Sequence, residues 1–178
     1  RVYRKVVAHA NAQTALTTTI TLMKDQLAFA DPQSIGNASV TGAGFENSQT
    51  IVFQNLNSGE QTITLNPGTA SGTATTDPSA AADGTNGADN GTTGSGTANR
   101  GFTLTSSGGT GTSTSTLSLL SDSAITSDLC VCFDGDGSGF SWDPATQVIT
   151  VEKLVAKDTR TDTVQARASF KVLLVNGK

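Results

Sequence analysis

The stretch whose reading decides the fold is the first, Arg1-Val-Tyr-Arg-Lys-Val-Val-Ala-His-Ala-Asn-Ala-Gln-Thr-Ala-Leu-Thr-Thr-Thr-Ile-Thr-Leu-Met-Lys-Asp-Gln-Leu27. A stepping of four, three, four, three picks out Val2, Val6, His9, Gln13, Leu16, Ile20, Met23 and Leu27. These residues share one side of a helix of about 3.6 residues per turn. Only His9 and Gln13 interrupt the apolar stripe, so the stretch reads as an amphipathic helix. It ends near Ala30, because Asp31-Pro32 turns the preceding residue away from helical geometry and Gly36 follows. No Ser, Thr, Asp or Asn precedes the stripe as an N-cap, and the expectation is that Arg1 marks a cut through a longer helix.

Beyond the helix the periodicity changes from about 3.6 to 2. The stretch through Gly42 and Gly44 reads as turns. Thr50-Ile-Val-Phe-Gln-Asn-Leu56 and Gln61-Thr-Ile-Thr-Leu65 are short strands around turn chemistry at Asn57-Ser-Gly-Glu60. Phe102-Thr-Leu-Thr105 and Ser115-Thr-Leu-Ser-Leu-Leu120 are weaker strands separated by Gly108, Gly109 and Gly111. Leu129 to Phe133 places Leu129, Val131 and Phe133 on one face and Cys130 and Cys132 on the other. The clearest alternation comes last, after Phe140-Ser-Trp142 and Gln147 to Val155. Val164, Ala166, Ala168, Phe170, Val172 and Leu174 face a core there, while Gln165, Arg167, Ser169 and Lys171 face water. Asp158-Thr-Arg-Thr-Asp162 is the loop of this hairpin.

From Thr69 to Arg100 the chain is almost entirely Gly, Thr, Ala, Ser, Asn and Asp, which cannot build a core. It reads as a long surface loop inserted in one fold. The expected architecture is therefore α+β, in a single domain over 1–178. A long N-terminal amphipathic helix (1–30) packs on the antiparallel β-sheet of a β-rich headgroup (31–178), which carries a Gly/Thr-rich loop over 69–100.

Composition narrows the function classes. A chain of 178 residues with 35% hydrophobic content closes one modest core. Charged residues are 15%, aromatics 5% and glycines 19 in number, a balance that suits a secreted β-rich surface protein better than a cytosolic enzyme. A net charge of -4 with eleven scattered Lys and Arg argues against a nucleic-acid partner. Only Arg1, Arg4 and Lys5 cluster, and they read as a solvated first turn, the alternative being a juxtamembrane or inter-subunit basic patch. No apolar run reaches ~18 residues. Membrane attachment is expected only through a segment upstream of Arg1.

Few residues carry chemistry. Cys130 and Cys132, two apart on a strand, have Cα atoms roughly 6.5–7 Å apart, at the upper limit of disulfide reach, and read as buried thiols. Zinc or redox chemistry is not expected, because His9 is the one histidine and there is no third cysteine. Asp134-Gly-Asp-Gly-Ser-Gly139 alternates oxygen-bearing side chains with glycines, like the first half of a calcium loop. Asp134 and Asp136 are the candidate ligands. The twelfth position, where an EF-hand wants a bidentate Glu, falls on Ala145, so the competing reading is a Gly-rich turn between strands. His9 would have to serve any nucleophile from within the helix, and there is no P-loop, dinucleotide glycine pattern or HExxH. The expectation is no enzyme, and no cofactor apart from calcium at that loop.

Three segments carry a family resemblance. Arg1-Val-Tyr-Arg-Lys-Val-Val through Leu16-Thr-Thr-Thr-Ile-Thr-Leu-Met-Lys-Asp-Gln-Leu27, Phe140-Ser-Trp-Asp143 with Gln147-Val-Ile-Thr-Val151, and Ala168-Ser-Phe-Lys-Val-Leu-Leu-Val-Asn176 resemble the type IV pilin superfamily. Within it they resemble the minor pilins and pseudopilins often grouped with the J and W components. The resemblance is one of pattern and covers both ends of the chain. It implies a helix whose first half sits in a membrane or filament core and whose second half packs on an antiparallel sheet. Val2 and Val6 would then meet other pilin subunits. The implied function is a structural subunit of a surface filament or secretion pseudopilus, anchored in the membrane before assembly and displayed at the cell surface. Cys130 and Cys132 depart from the long-range disulfide that closes the C-terminal region of many pilins. The alternative is a secreted adhesin or ligand-binding module whose Gly/Thr-rich loops contact a host or environmental surface. The codons upstream of Arg1 separate the two: a short basic leader and roughly 20 apolar residues for the pilin, a cleavable signal peptide for the module.

Overall fold

The computed structural model describes residues 2–56, 61–66, 101–108, 114–120 and 128–175. Helix α1 (Val2–Leu27) leads into β1 (Phe45–Ser48), β2 (Ile51–Gln54), β3 (Gln61–Asn66), β4 (Thr103–Gly108) and β5 (Thr114–Ser118). Then follow β6 (Leu129–Phe133), β7 (Gly139–Asp143), β8 (Val148–Asp158) and β9 (Thr163–Leu173). The expected loop over 69–100 and the turns at 57–60 and 109–113 lie outside the described residues. No helix among the described residues is long and apolar enough to cross a membrane.

The chain is α+β, with α1 packed on an antiparallel sheet. That sheet is organised by β8, the longest strand together with β9 at 11 residues. β9 pairs one edge of β8, while β7 and β6 share the other edge end to end, and β1 extends the sheet beyond β7. A second antiparallel sheet runs in the order β2-β3-β4-β5, a meander of neighbouring strands. One apolar core joins helix and both sheets, from Met23 and Leu27 through Ile51, Phe53 and Phe102 to Ile149, Val151 and Leu154. Phe102, Phe133 and Phe140 meet edge to face, with centroids 5.1 to 5.9 Å apart. This trio stitches the start of β4 to the junction of β6 and β7, in the geometry that ring quadrupoles favour.

β1 was not expected, since its segment reads as turns. Its four residues carry little β propensity of their own, and pairing Phe45 with Trp142 and Ser48 with Phe140 makes the strand. Gly139 secures that pairing. Its φ is +134°, and a Cβ there would stand 2.6 Å from the Ser48 carbonyl oxygen.

The helix corrects the expected stripe. Leu16, Met23 and Leu27 are buried as expected and Ile20 is partly buried. Further toward the N-terminus the sheet-facing side is Ala12, Ala15 and Thr19, with Gln13 and His9 turned off it. A stripe stepped at 3.5 residues drifts by about 20° per heptad on a straight helix, so residues that align at Leu27 have rotated away by Val2. Small side chains at Ala12 and Ala15 let the backbone approach the sheet. The Thr19 hydroxyl, buried with them, donates to the Ala15 carbonyl at 3.0 Å. The helix stops at Leu27, three residues before the expected end. There the Asn55 amide donates to the Gln26 carbonyl at 3.2 Å, satisfying one of the acceptors a helix end leaves open.

Two outcomes test this division. Met23→Asp or Leu27→Asp forces a carboxylate into a fully buried site and should cost about 3 kcal/mol or more in chemical denaturation, whereas Val2→Asp should stay within about 0.5 kcal/mol. Equal losses at both ends would mean that the whole helix is seated. Gly139→Ala should lower stability by about 1–3 kcal/mol through backbone strain and the clash with Ser48. An unchanged urea midpoint would show that β1 does not close over it.

Candidate functional site

Two regions hold the residues singled out by sequence. The first is the N-terminal half of α1. Val2, Tyr3 and Val6 are 77%, 80% and 61% exposed, although α1 is continuous through them. Apolar side chains in a regular helix with no core beneath them form a presented surface. Beside them a groove of about 280 Å³ runs between Tyr3, Arg4 and Val7 on the helix and Asp128, Leu129 and Arg160 on the sheet. Its floor carries charge, because Arg160 Nε lies 3.5 Å from Asp128 and 3.9 Å from Asp158. A second groove, of about 570 Å³, opens between the helix and β9. His9 and Gln13 line it, their Nε2 atoms 3.0 Å apart.

The second region is the face of the sheet turned away from the helix. The two-residue alternation of β6 sends Leu129 and Val131 to the core and Cys130 and Cys132 to this outer face, where both are free thiols. In register across β8 and β9, Cys132 neighbours Val155 and then Arg167, and Cys130 neighbours Lys157 and then Val164. Asp134, the next outward position after Cys132, binds Arg167 at 2.9 Å and Lys157 at 3.6 Å. Lys157 also reaches Asp162 at 3.5 Å. Burial works to lower the Lys157 pKa, but Asp162, Cys132 and Asp134 outweigh it and raise the group above its ordinary value.

The run from Asp134 to Gly139 joins β6 to β7 as a tight excursion, with Gly135, Gly137 and Gly139 all at positive φ. Ser138 closes it by donating to the Gly135 carbonyl at 2.6 Å. Asp136 offers its backbone carbonyl to Lys153 Nζ, while the Asp134 carboxylate turns to Arg167 and Lys157. No cluster of three or more His, Cys, Asp or Glu able to hold a metal occurs among the described residues. A calcium ion at Asp134 would have to displace Arg167. Sequence inspection missed the cations over the thiols, because they come from β8 and β9 and carry no local pattern. The one available signal was the water-facing place of Arg167 in the alternation of the last strand.

No family model, curated protein or solved structure matches the chain.

Both thiols should resist a bulky alkylating reagent in the native protein and both should react after unfolding, as buried cysteines do. A native count of two would mean that the outer face is open; a count of zero after unfolding would mean a disulfide.

Proposed function

We propose that this chain is a structural subunit, the headgroup of a type IV pilin-like protein that assembles through α1 into a surface filament or secretion pseudopilus. The observation that carries the reading is the division of α1. Its C-terminal half is seated on the sheet through Ala12, Ala15, Leu16, Thr19, Met23 and Leu27, and its N-terminal half presents Val2, Tyr3 and Val6 to solvent. The first ten residues of this 26-residue helix extend about 15 Å beyond Ala12, its outermost buried residue, beside the groove at Asp128 and Arg160. That geometry suits a handle by which one subunit packs beside the next, with Val2 and Val6 at the interface. In this reading the protein is held in the membrane before assembly by a segment outside the present sequence, and is displayed at the cell surface afterwards. The role is mechanical, not catalytic. A calcium ion on Asp134 and Asp136 would be accessory to it, stiffening the turn between β6 and β7.

Val2→Asp and Val6→Asp, placed together in the protein as its gene encodes it, should abolish incorporation into filaments while the isolated headgroup keeps its unfolding midpoint. Immunogold labelling of sheared surface fractions reads the first, and thermal denaturation the second. Normal incorporation of the double variant would remove the helix from the interface; release of monomer into the medium with retained surface binding would favour the secreted adhesin.

A further inference from the structure

Cys130 and Cys132 lie side by side on one paired strand, 1% and 5% exposed, against Val155 and Val164. Their side chains touch, the Cys130 thiol donating a hydrogen bond to the Cys132 sulfur. Two buried thiols side by side on one strand face are either a pair of metal ligands or the halves of a disulfide, and the geometry distinguishes the two.

A disulfide would have to draw the sulfurs to about 2 Å and the Cα atoms inside ~6.8 Å. Both residues are held extended by their pairing with Lys157 and Val155, so β6 would have to buckle. A single metal ion between the sulfurs asks for far less movement, since two metal–sulfur bonds of about 2.3 Å span up to ~4.6 Å. Two soft donors, with no third His, Cys, Asp or Glu grouped with them among the described residues, do not complete the tetrahedral shell that zinc requires. They satisfy an ion of the Cu(I) kind, which thiolates select and which accepts two ligands. Loading is M⁺ + 2 Cys–SH → [M(S–Cys)₂]⁻ + 2 H⁺, with no electron transferred. The product carries one negative charge, and Lys157, directly across the strand from Cys130, is the ammonium in register with it, shared with Asp134 and Asp162.

We infer that Cys130 and Cys132 form a two-thiolate site for a soft monovalent metal ion of the Cu(I) and Ag(I) class, with Lys157 as its counter-charge.

The test is an oxygen-free titration of the reduced protein with Ag(I), a redox-inert probe, in the presence of glutathione as competitor. The expected result is one ion per chain by native mass spectrometry, release of two protons per ion, and a thiolate-to-metal absorption band. Cys130→Ser and Cys132→Ser should each weaken binding about 100-fold or more, and Lys157→Met about 10-fold, as loss of a ligand or of its supporting neighbour does. Loss of the ion to glutathione, or a serine variant that binds as tightly as the parent, would overturn the site. So would peroxide converting the parent to an internal disulfide while Ag(I) goes unbound. X-ray absorption at the metal edge keeps the question open to decision if a serine variant unfolds: two sulfur neighbours in the parent support the site, and one sulfur or oxygen donors refute it.

Discussion

Lys153 sits in the middle of β8 with a φ of 53°, and the arrangement of both faces of the sheet depends on it. Between Val151 and Leu154 β8 advances three residues while its partner β9 advances two, from Phe170 to Ala168. The extra residue changes the parity of the strand. Before it the core-facing residues are Ile149 and Val151; after it they are Leu154 and Ala156. Without the bulge Leu154 would point outward and Val155 would lie against α1. The bulge is also where β6 and β7 meet on the shared edge of β8. The Lys153 carbonyl accepts from the Asp134 amide, its amide donates to Ser169 Oγ, and its ammonium donates to the Asp136 carbonyl. The glycine-rich run from Asp134 is therefore the excursion that carries the chain over the bulge, which gives its glycines a backbone role without any ion.

A second irregularity restores the balance. Between Ala156 and Lys157 it is β9 that carries the extra residue, and Val164 pairs with Lys157 instead of continuing the row of Ala166, Ala168 and Phe170. Val164 thereby joins the cysteine cluster on the outer face. The simple alternation of β9 expected from sequence holds for Ala166 to Val172 and fails at Val164 for this reason. The outer face gains an apolar wall and a cationic rim from one strand pair.

What was legible in the sequence was what local periodicity determines. The two faces of β6, the hairpin of β8 and β9 with its Asp158 loop, the strand at Phe140 to Trp142, and the burial of Leu16, Met23 and Leu27 all follow from side chains alternating or recurring within a few residues. β1 was not legible, because its pairing partner lies about a hundred residues away and its own composition is that of a turn. Neither bulge was legible, since both are marked by residues, Lys153 and Gln165, with no special backbone preference. The same limit divided the outer site. The cysteine pair could be placed on one face of one strand, but Lys157, Arg167 and Asp162 reach it only through register between strands.

The helix shows how one periodicity can serve two surfaces. A stripe repeating every 3.5 residues drifts slowly around a straight helix, and α1 is seated from Ala12 to Leu27, a little over four turns, before the stripe has rotated off. The stretch without a fully buried residue, 2 to 11, is shorter than the ~12–15 residues at which an isolated helix becomes even marginally stable in water. Its helicity is propagated from the turn of helix docked at Ala12 and Ala15, which supplies the nucleus that a free peptide would lack. The exposed half is therefore ordered by the headgroup and yet contributes little burial in return. A surface kept helical by a neighbouring core, with valines facing outward, has already lost its conformational entropy in folding, so a contact made there does not bear that cost again.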